Sequence, residues 1–263
     1  MSGRVWGCGS MGEKKVTTLK KEQIGTCRLC LEEAKLCNSH ILSEFFYKPM
    51  YDEKHRALKF TREPYNRNYI QKGFREYLLC KKCEAHINKY ESYMAEVWKL
   101  PKLLPQNEHL VQELDYNLFK LFHLSVLWRA SISSHEVFRN VNLGPHEERL
   151  RRMILDDIPG KETQYRFFGE VLVNRNEVLA DVVMEPIFRK IEAHRVYLFI
   201  FGGCVWCYFV SSHLYDDIPK KFYICHEGNI TLGKKQFTDL KFITDFAVDI
   251  LRNEINRKSP KVT

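Results

Sequence analysis

Apolar positions along the chain change period twice, and the changes divide it. Over residues 113–134, Leu114, Leu118, Leu121, Phe122, Leu124, Val126 and Leu127 recur so densely that the pattern predicts a helix buried on most of its surface. Upstream, Ile87, Tyr90, Met94, Val97 and Trp98 keep helical spacing, which predicts a helix from Cys83 to about Lys99, ended by Pro101. Gly144-Pro145-His146-Glu147-Glu148 opens a third helix, with Pro in the first turn and acidic side chains facing the positive end of the dipole; Ile158-Pro159-Gly160 closes it. Beyond that point the pattern turns to strands, predicted over 164–173, 178–184, 196–200, 205–211 and 221–225 with Asn-Arg-Asn, Gly-Gly and Asp-Asp breaks between them. A final amphipathic helix is expected over 238–256, with Phe242, Phe246, Val248 and Leu251 on its apolar side.

The first hundred residues read differently. Residues 1–22 mix Gly, Ser and Lys without periodicity and are expected to form a flexible basic tail. From Ile24 a small unit begins. Residues 32–35 suit the tip of a hairpin that returns through Leu36 and Cys37 to Ser39 and His40. Ser39 could cap a short helix over 40–48 with Ile41, Leu42, Phe45 and Phe46 inward and Pro49 at its end. Residues 50–74 lack a clean period and suggest a long insert, and Tyr77-Leu78-Leu79 reads as a short strand. The stretch from Pro101 to Pro105 is the best boundary in the sequence. It sets a unit over 23–100 apart from an α+β region over 106–263 in which helices precede a mostly antiparallel sheet.

Composition adds three constraints. With 263 residues, 44% of them hydrophobic and 13% aromatic, the chain has the means to bury a sizeable core. Its longest apolar run, 196–210, is too short for a bilayer and is broken by Gly202 and Gly203, so a soluble protein with no membrane partner is expected. Nine cysteines, an odd number, fit a reducing cytoplasmic setting better than a disulfide framework.

The net charge of +8 is concentrated in the first hundred residues, which hold 19 Lys+Arg against 12 Asp+Glu and leave 22 against 21 for the rest. Arg56, Lys59, Arg62, Arg67, Lys72 and Arg75 alternate there with Phe60, Tyr65, Tyr69 and Phe74. Cations interleaved with aromatic rings suit a nucleic-acid backbone with stacking positions; a solvated surface loop is the other reading.

The most specific signal is a pair of knuckles, Cys27-Arg28-Leu29-Cys30 and Cys80-Lys81-Lys82-Cys83. Two Cys-x2-Cys loops bring four thiolates to one tetrahedral zinc ion, which would hold together a unit with little core of its own. Unliganded core thiols are the alternative. Cys37 is read as a spare thiol, and Cys204-Val205-Trp206-Cys207, though spaced like a metal or redox motif, as strand interior.

With the knuckles, the Asn38-Ser39-His40 run between them and the helix that follows, the segment 24–100 resembles the zinc-bearing HNH nucleases, also called ββα-metal. The resemblance implies a ββα module, a structural zinc on Cys27, Cys30, Cys80 and Cys83, and a metal-dependent endonuclease that hydrolyses phosphodiester bonds, DNA ahead of RNA. It places His40 as the general base for water. A catalytic divalent ion (Mg, Mn or Zn) would sit near Asn38, Glu84 or His86. The family's Asp before the histidine is Ser39 here, Arg75 stands where an Asn is frequent, and Glu84 follows the last cysteine. Stand-alone nucleases of this type resemble effectors of anti-phage defence controlled by a protein partner such as an ATPase. No Walker-type nucleotide loop is present in the chain. A zinc-dependent nucleic-acid-binding module without catalysis is the alternative that Ser39, Arg75 and Glu84 favour; a protein-interaction subunit whose C-terminal sheet docks a partner is a third.

Overall fold

A computed structural model describes residues 23–61, 66–192, 194–211 and 217–241, together with 244, 245 and 248. Strands β1 (Ile24–Thr26) and β2 (Glu33–His40) pair antiparallel, with Ile24 opposite Lys35. The tip expected over 32–35 is not there: Glu33, Ala34 and Lys35 are already strand, paired with Thr26, Gly25 and Ile24. The connection between the strands is the first knuckle itself, while the return through Leu36 and Cys37 is formed. The helix expected over 40–48 is not: the backbone stays extended through His40, Ile41 N–H donates to Phe74 O at 3.0 Å, and only two 3-10 turns follow, Glu44–Phe46 and Lys48–Met50. Ser39 cannot cap a helix because its backbone lies opposite Glu76 in the ladder.

The insert expected over 50–74 contains a hairpin of β3 (Ala57–Thr61) and β4 (Asn66–Ile70), paired from Ala57 against Ile70 to Thr61 against Asn66. Strand β5 (Arg75–Cys80) then returns antiparallel to β2, with Leu36 opposite Cys80 and His40 opposite Arg75. Helix α1 (Lys81–Val97) starts at once, burying Cys83, Ile87, Tyr90 and Met94 at helical spacing. A strand, a returning strand and a helix are thus stacked around the two knuckles.

Beyond Pro105 the order is β6 (Glu108–Val111), α2 (Tyr116–Ile132), α3 (His146–Leu155), β7 (Phe167–Asn174), β8 (Glu177–Val178), β9 (Met184–Ile191), β10 (His194–Phe201), β11 (Cys204–Val210) and β12 (Ile230–Gln236). The sheet runs β6-β12-β7-β11-β10-β9, with β8 on β7, and all pairs are antiparallel except β12 with β7. The fold class is α+β.

Three strand expectations need correction. Residues 178–184 do not form one strand, because β8 pairs with β7 inside the sheet whereas β9 pairs with β10 at its edge. Residues 221–225 give a 3-10 turn, Lys220–Phe222, opened by Pro219 at φ −54°, in place of a strand. The strands at Glu108–Val111 and Ile230–Gln236 were not anticipated; in the latter Ile230, Thr231 and Leu232 are all buried, so no alternation marks it. The C-terminal helix expected over 238–256 lies mostly outside the described residues, Phe242, Phe246 and Leu251 among them.

Gly202 and Gly203 both have positive φ, +61° and +77°, and make the two-residue turn that joins β10 to β11. Helix α2 is capped by Asp115, whose carboxylate accepts from Leu118 N–H at 2.9 Å, and is buried nearly all round. On one side its Phe119 and His123 meet Phe167 and Trp206 of the sheet. On the other, Phe122 lies 5.9 Å from Phe46, which also packs on Phe201 at 4.9 Å. One continuous core therefore includes residues on both sides of the 101–105 stretch, where Leu104 is itself buried and donates to Asn176 O at 2.8 Å. Among the described residues, no helix is long and apolar enough to cross a membrane.

Candidate functional site

The four knuckle sulfurs, those of Cys27, Cys30, Cys80 and Cys83, all lie within 4.8 Å of one another. The backbone explains why. Leu31 adopts φ +65°, which turns the first knuckle back so that Cys27 N–H donates to Glu32 O, while Arg28 N–H donates to Leu78 O of β5 and holds that loop against the second knuckle. Cys80 and Cys83 sit at the end of β5 and in the first turn of α1.

A tetrahedral ion with metal–sulfur bonds near 2.3 Å sets an edge of about 3.8 Å between sulfurs; Cys30 and Cys80 are 3.9 Å apart. Cys80 N–H donates to Cys27 Sγ at 3.3 Å, which favours a thiolate there. Burial opposes that charge, but the backbone donors of Cys30, Cys80 and Leu29 leave the Cys27 thiol below the ordinary cysteine range. Burial and then the neighbouring thiols push Cys83 up. Four thiols confined this closely fit a tetrahedral metal such as zinc, whose two positive charges would relieve their mutual repulsion on ionisation. Among the described residues this is the only group of three or more His, Cys, Asp or Glu ligands that converges.

The other thiols stand apart from it. Cys37 is half-buried on β2, and Cys204 and Cys207 are interior residues of β11, as expected. Burial raises both, far above the usual range for Cys204.

His40 ends β2, and its Nε2 lies 2.8 Å from Glu44 Oε2. Glu44 also accepts from Tyr51 Oη at 2.5 Å and from Gly73 N–H at 3.2 Å, and Arg75 Nη2 lies 3.5 Å from the same carboxylate. Burial tends to raise Glu44, yet the Tyr51, Gly73 and His40 donors hold it below the usual carboxylate range. Burial, followed by the Arg75 charge, pulls the imidazole below its ordinary value. The result is a neutral histidine whose Nε2–H is directed at a carboxylate. Its Nδ1 has no protein partner among the described residues. A histidine held in this way can take up a proton.

Beneath this group lies a buried ion pair. Arg129, 1% exposed in the last turn of α2, donates Nη1 to His40 O at 2.7 Å and to Glu91 Oε1 of α1 at 2.7 Å. Ser43 Oγ donates to the same Glu91 oxygen at 2.7 Å.

The remaining residues named from sequence do not converge on His40. Asn38 is exposed on β2, two residues before it. Glu84 accepts from Ser39 Oγ at 2.6 Å, below the strand. His86 turns the other way: its Nε2 donates to Ile154 O of α3 at 2.7 Å and lies 3.6 Å from Asp157. The set Asn38, Glu84 and His86 is therefore not gathered into a site for a catalytic ion, because the first turns of α1 face two different neighbours.

Arg75 joins the His40 group. Arg56 is held by Asp52 at 2.8 Å and lies over the Tyr69 ring; Lys59 lies 5.4 Å from the Phe74 ring centre, and Lys72 is exposed. Arg62 and the side chain of Arg67 lie outside the described residues.

Sequence reading missed Glu44, Tyr51, Glu91 and Arg129. Glu44 carries no motif. Arg129 did leave a signal, a charge at a core position of a largely apolar helix, which it shares with Lys120. Comparisons with protein-family models, with curated proteins and with solved structures found no match.

Proposed function

We propose that this chain is a zinc-stapled nuclease of the HNH type that hydrolyses nucleic-acid phosphodiester bonds with His40 as the base. The observation that carries the reading is the His40–Glu44 pair at 2.8 Å with Arg75 directly across the ladder. Glu44 fixes the tautomer, Nδ1 of the neutral ring takes a proton from water, and the Arg75 guanidinium attracts a phosphate oxygen. Arg56, Lys59 and Lys72 would meet the backbone on either side, without reading bases. Zinc on the four cysteines has a structural part only. No step is assigned to a second ion, since Asn38, Glu84 and His86 are not gathered. A cytoplasmic setting and control by a protein partner such as an ATPase belong to this reading as its context.

The test is cleavage of supercoiled plasmid and of single-stranded DNA and RNA with Mg²⁺, Mn²⁺ or Zn²⁺ added in turn, beside a His40→Ala variant that keeps its zinc. Cutting that His40→Ala abolishes, and that Glu44→Gln lowers by about 10²-fold, supports the reading. Tight binding with no cutting under any condition supports the second reading, a zinc-dependent nucleic-acid-binding module. The specific observation in favour of that alternative is the scattering of the presumed catalytic-ion residues.

A further inference from the structure

Resting on the proposed role of His40, we infer that the buried pair of Arg129 and Glu91 is the positioning device of the site, anchoring both halves of the His40–Glu44 pair at once. The geometry is specific. One Arg129 nitrogen donates to the His40 carbonyl at 2.7 Å, and so fixes the peptide plane from which the imidazole projects. The same nitrogen donates to Glu91 at 2.7 Å. Glu91 in turn accepts from Ser43, the residue that opens the 3-10 turn carrying Glu44. His40 and Glu44 thus hang from one ion pair, by a backbone carbonyl on one side and a serine hydroxyl on the other.

Arg129 is held besides by its own helix, with Nε donating to Ser125 O at 3.3 Å. Neither Arg129 nor Glu91 is hydrogen-bonded to the imidazole, so both are positioning residues: they act through the backbone of His40 and through Ser43, and the Glu91 charge is also felt at the ring. A planar guanidinium suits this place because it presents several donors in a fixed fork, which an ammonium does not. The arrangement also makes the site depend on α2, a helix packed against α1, α3 and the sheet, so the region after residue 105 contributes to the histidine strand end although it supplies no group to the chemistry.

Removing Arg129 alone leaves a carboxylate buried without its partner, which threatens the fold. The informative variant is therefore Arg129→Met with Glu91→Met, which removes both charges at similar volume, beside the conservative Arg129→Lys. Two readouts apply to full-length zinc-loaded protein. The first is the tautomer ratio of the His40 imidazole from its ¹⁵N shifts, which requires no activity. The second is kcat and KM for whichever substrate the wild type cuts.

The double variant is expected to fold and keep its zinc, yet to lose the single-tautomer signature of His40 and to cut about 10²-fold more slowly at unchanged KM, as displacement of a reacting group does. Arg129→Lys is expected to restore part of both. A double variant whose His40 signals match those of the wild type overturns the inference. If the wild type cuts nothing, the nuclease reading fails by itself, and the imidazole signature still decides whether Arg129 and Glu91 hold the pair.

Discussion

Ser39 Oγ donates to Glu84 Oε2 across 2.6 Å, joining β2 to the first turn of α1 at a position where Ser39 has no exposed surface. The bond gives Ser39 a structural task in the fold. A carboxylate at residue 39 would be buried against Glu84, with two like charges sharing the space of one hydrogen bond. Ser39→Asp is therefore expected to lower unfolding stability by about 3 kcal/mol at pH 7, and by less in acid, where one carboxyl holds a proton. Urea unfolding at pH 7 and 5 measures this. A wild-type midpoint at pH 7, or new stabilisation by Mg²⁺, would show that residue 39 points to an ion site after all.

The sulfur cluster predicts one tightly held metal per chain. Metal analysis of purified protein is expected to give close to one zinc equivalent, and Cys83→Ser to abolish it along with the order of the 23–100 unit. Cys37→Ser and Cys207→Ser should leave the metal content unchanged, since neither thiol belongs to the cluster. Loss of zinc from Cys37→Ser would reassign the ligand set. Chelation should melt the β1-β2-β5 unit ahead of the seven-stranded sheet, because the metal joins the knuckles of the former only.

How much of this could be read beforehand depends on the range of the interaction responsible. The four cysteines were legible because a metal shell imposes local spacing, α1 and α2 because their apolar residues repeat on one element, and α3 because its start and stop residues, Pro145 with the acidic first turn and Pro159-Gly160, are local signals. The strand end at His40 was misread as a helix because its extended form is enforced by β5, thirty-five residues away, through pairs such as His40 with Arg75. Glu44 and Glu91 were invisible for the same reason: each acquires its role from a partner brought in by the fold. The strand Ile230–Gln236 escaped notice because only Ile230, Thr231 and Leu232 are buried, and the Gly-Lys-Lys-Gln that follows is half-buried and has neither the alternation nor the β-branched residues that mark a strand.

The turn between β10 and β11 gives a prediction about packing. A Cβ on Gly202 would stand 2.5 Å from the Phe46 ring and 2.9 Å from Trp98 Nε1, which donates to Gly202 O. Its φ of +61° adds the left-handed penalty of about 1 kcal/mol for a residue with a side chain. Gly202→Ala should cost about 2–4 kcal/mol, because Phe46 cannot retreat without disturbing Phe122 and Phe201. Thermal unfolding gives the number, and a loss below about 1 kcal/mol would mean that the 44–46 turn yields easily.

Lys120 supplies a dependence on pH. Only 1% exposed on α2, its Nζ donates to Tyr116 Oη at 2.9 Å and to Lys161 O at 2.6 Å, with no carboxylate of the described residues bonded to it. Burial pulls its pKa down to about 7; Glu162 opposes this and Arg166 adds to it. In the unfolded chain the amine titrates near 10.4. Between pH 7 and 10.4 the unfolded state therefore binds more protons than the folded one, so stability rises with pH across that window and is lost as pH falls towards 7. For one group the slope cannot exceed about 1.4 kcal/mol per pH unit. Lys120→Met removes the buried amine at similar length, so its stability should be flatter over pH 7–9.5 and greater than the wild type's at pH 7, with the two curves approaching each other as pH rises. Urea midpoints at pH 7, 8.2 and 9.5 decide it. Parallel curves for the two proteins would mean that Lys120 keeps its proton in the folded state throughout and that the charge is accommodated by the oxygens of Tyr116 and Lys161.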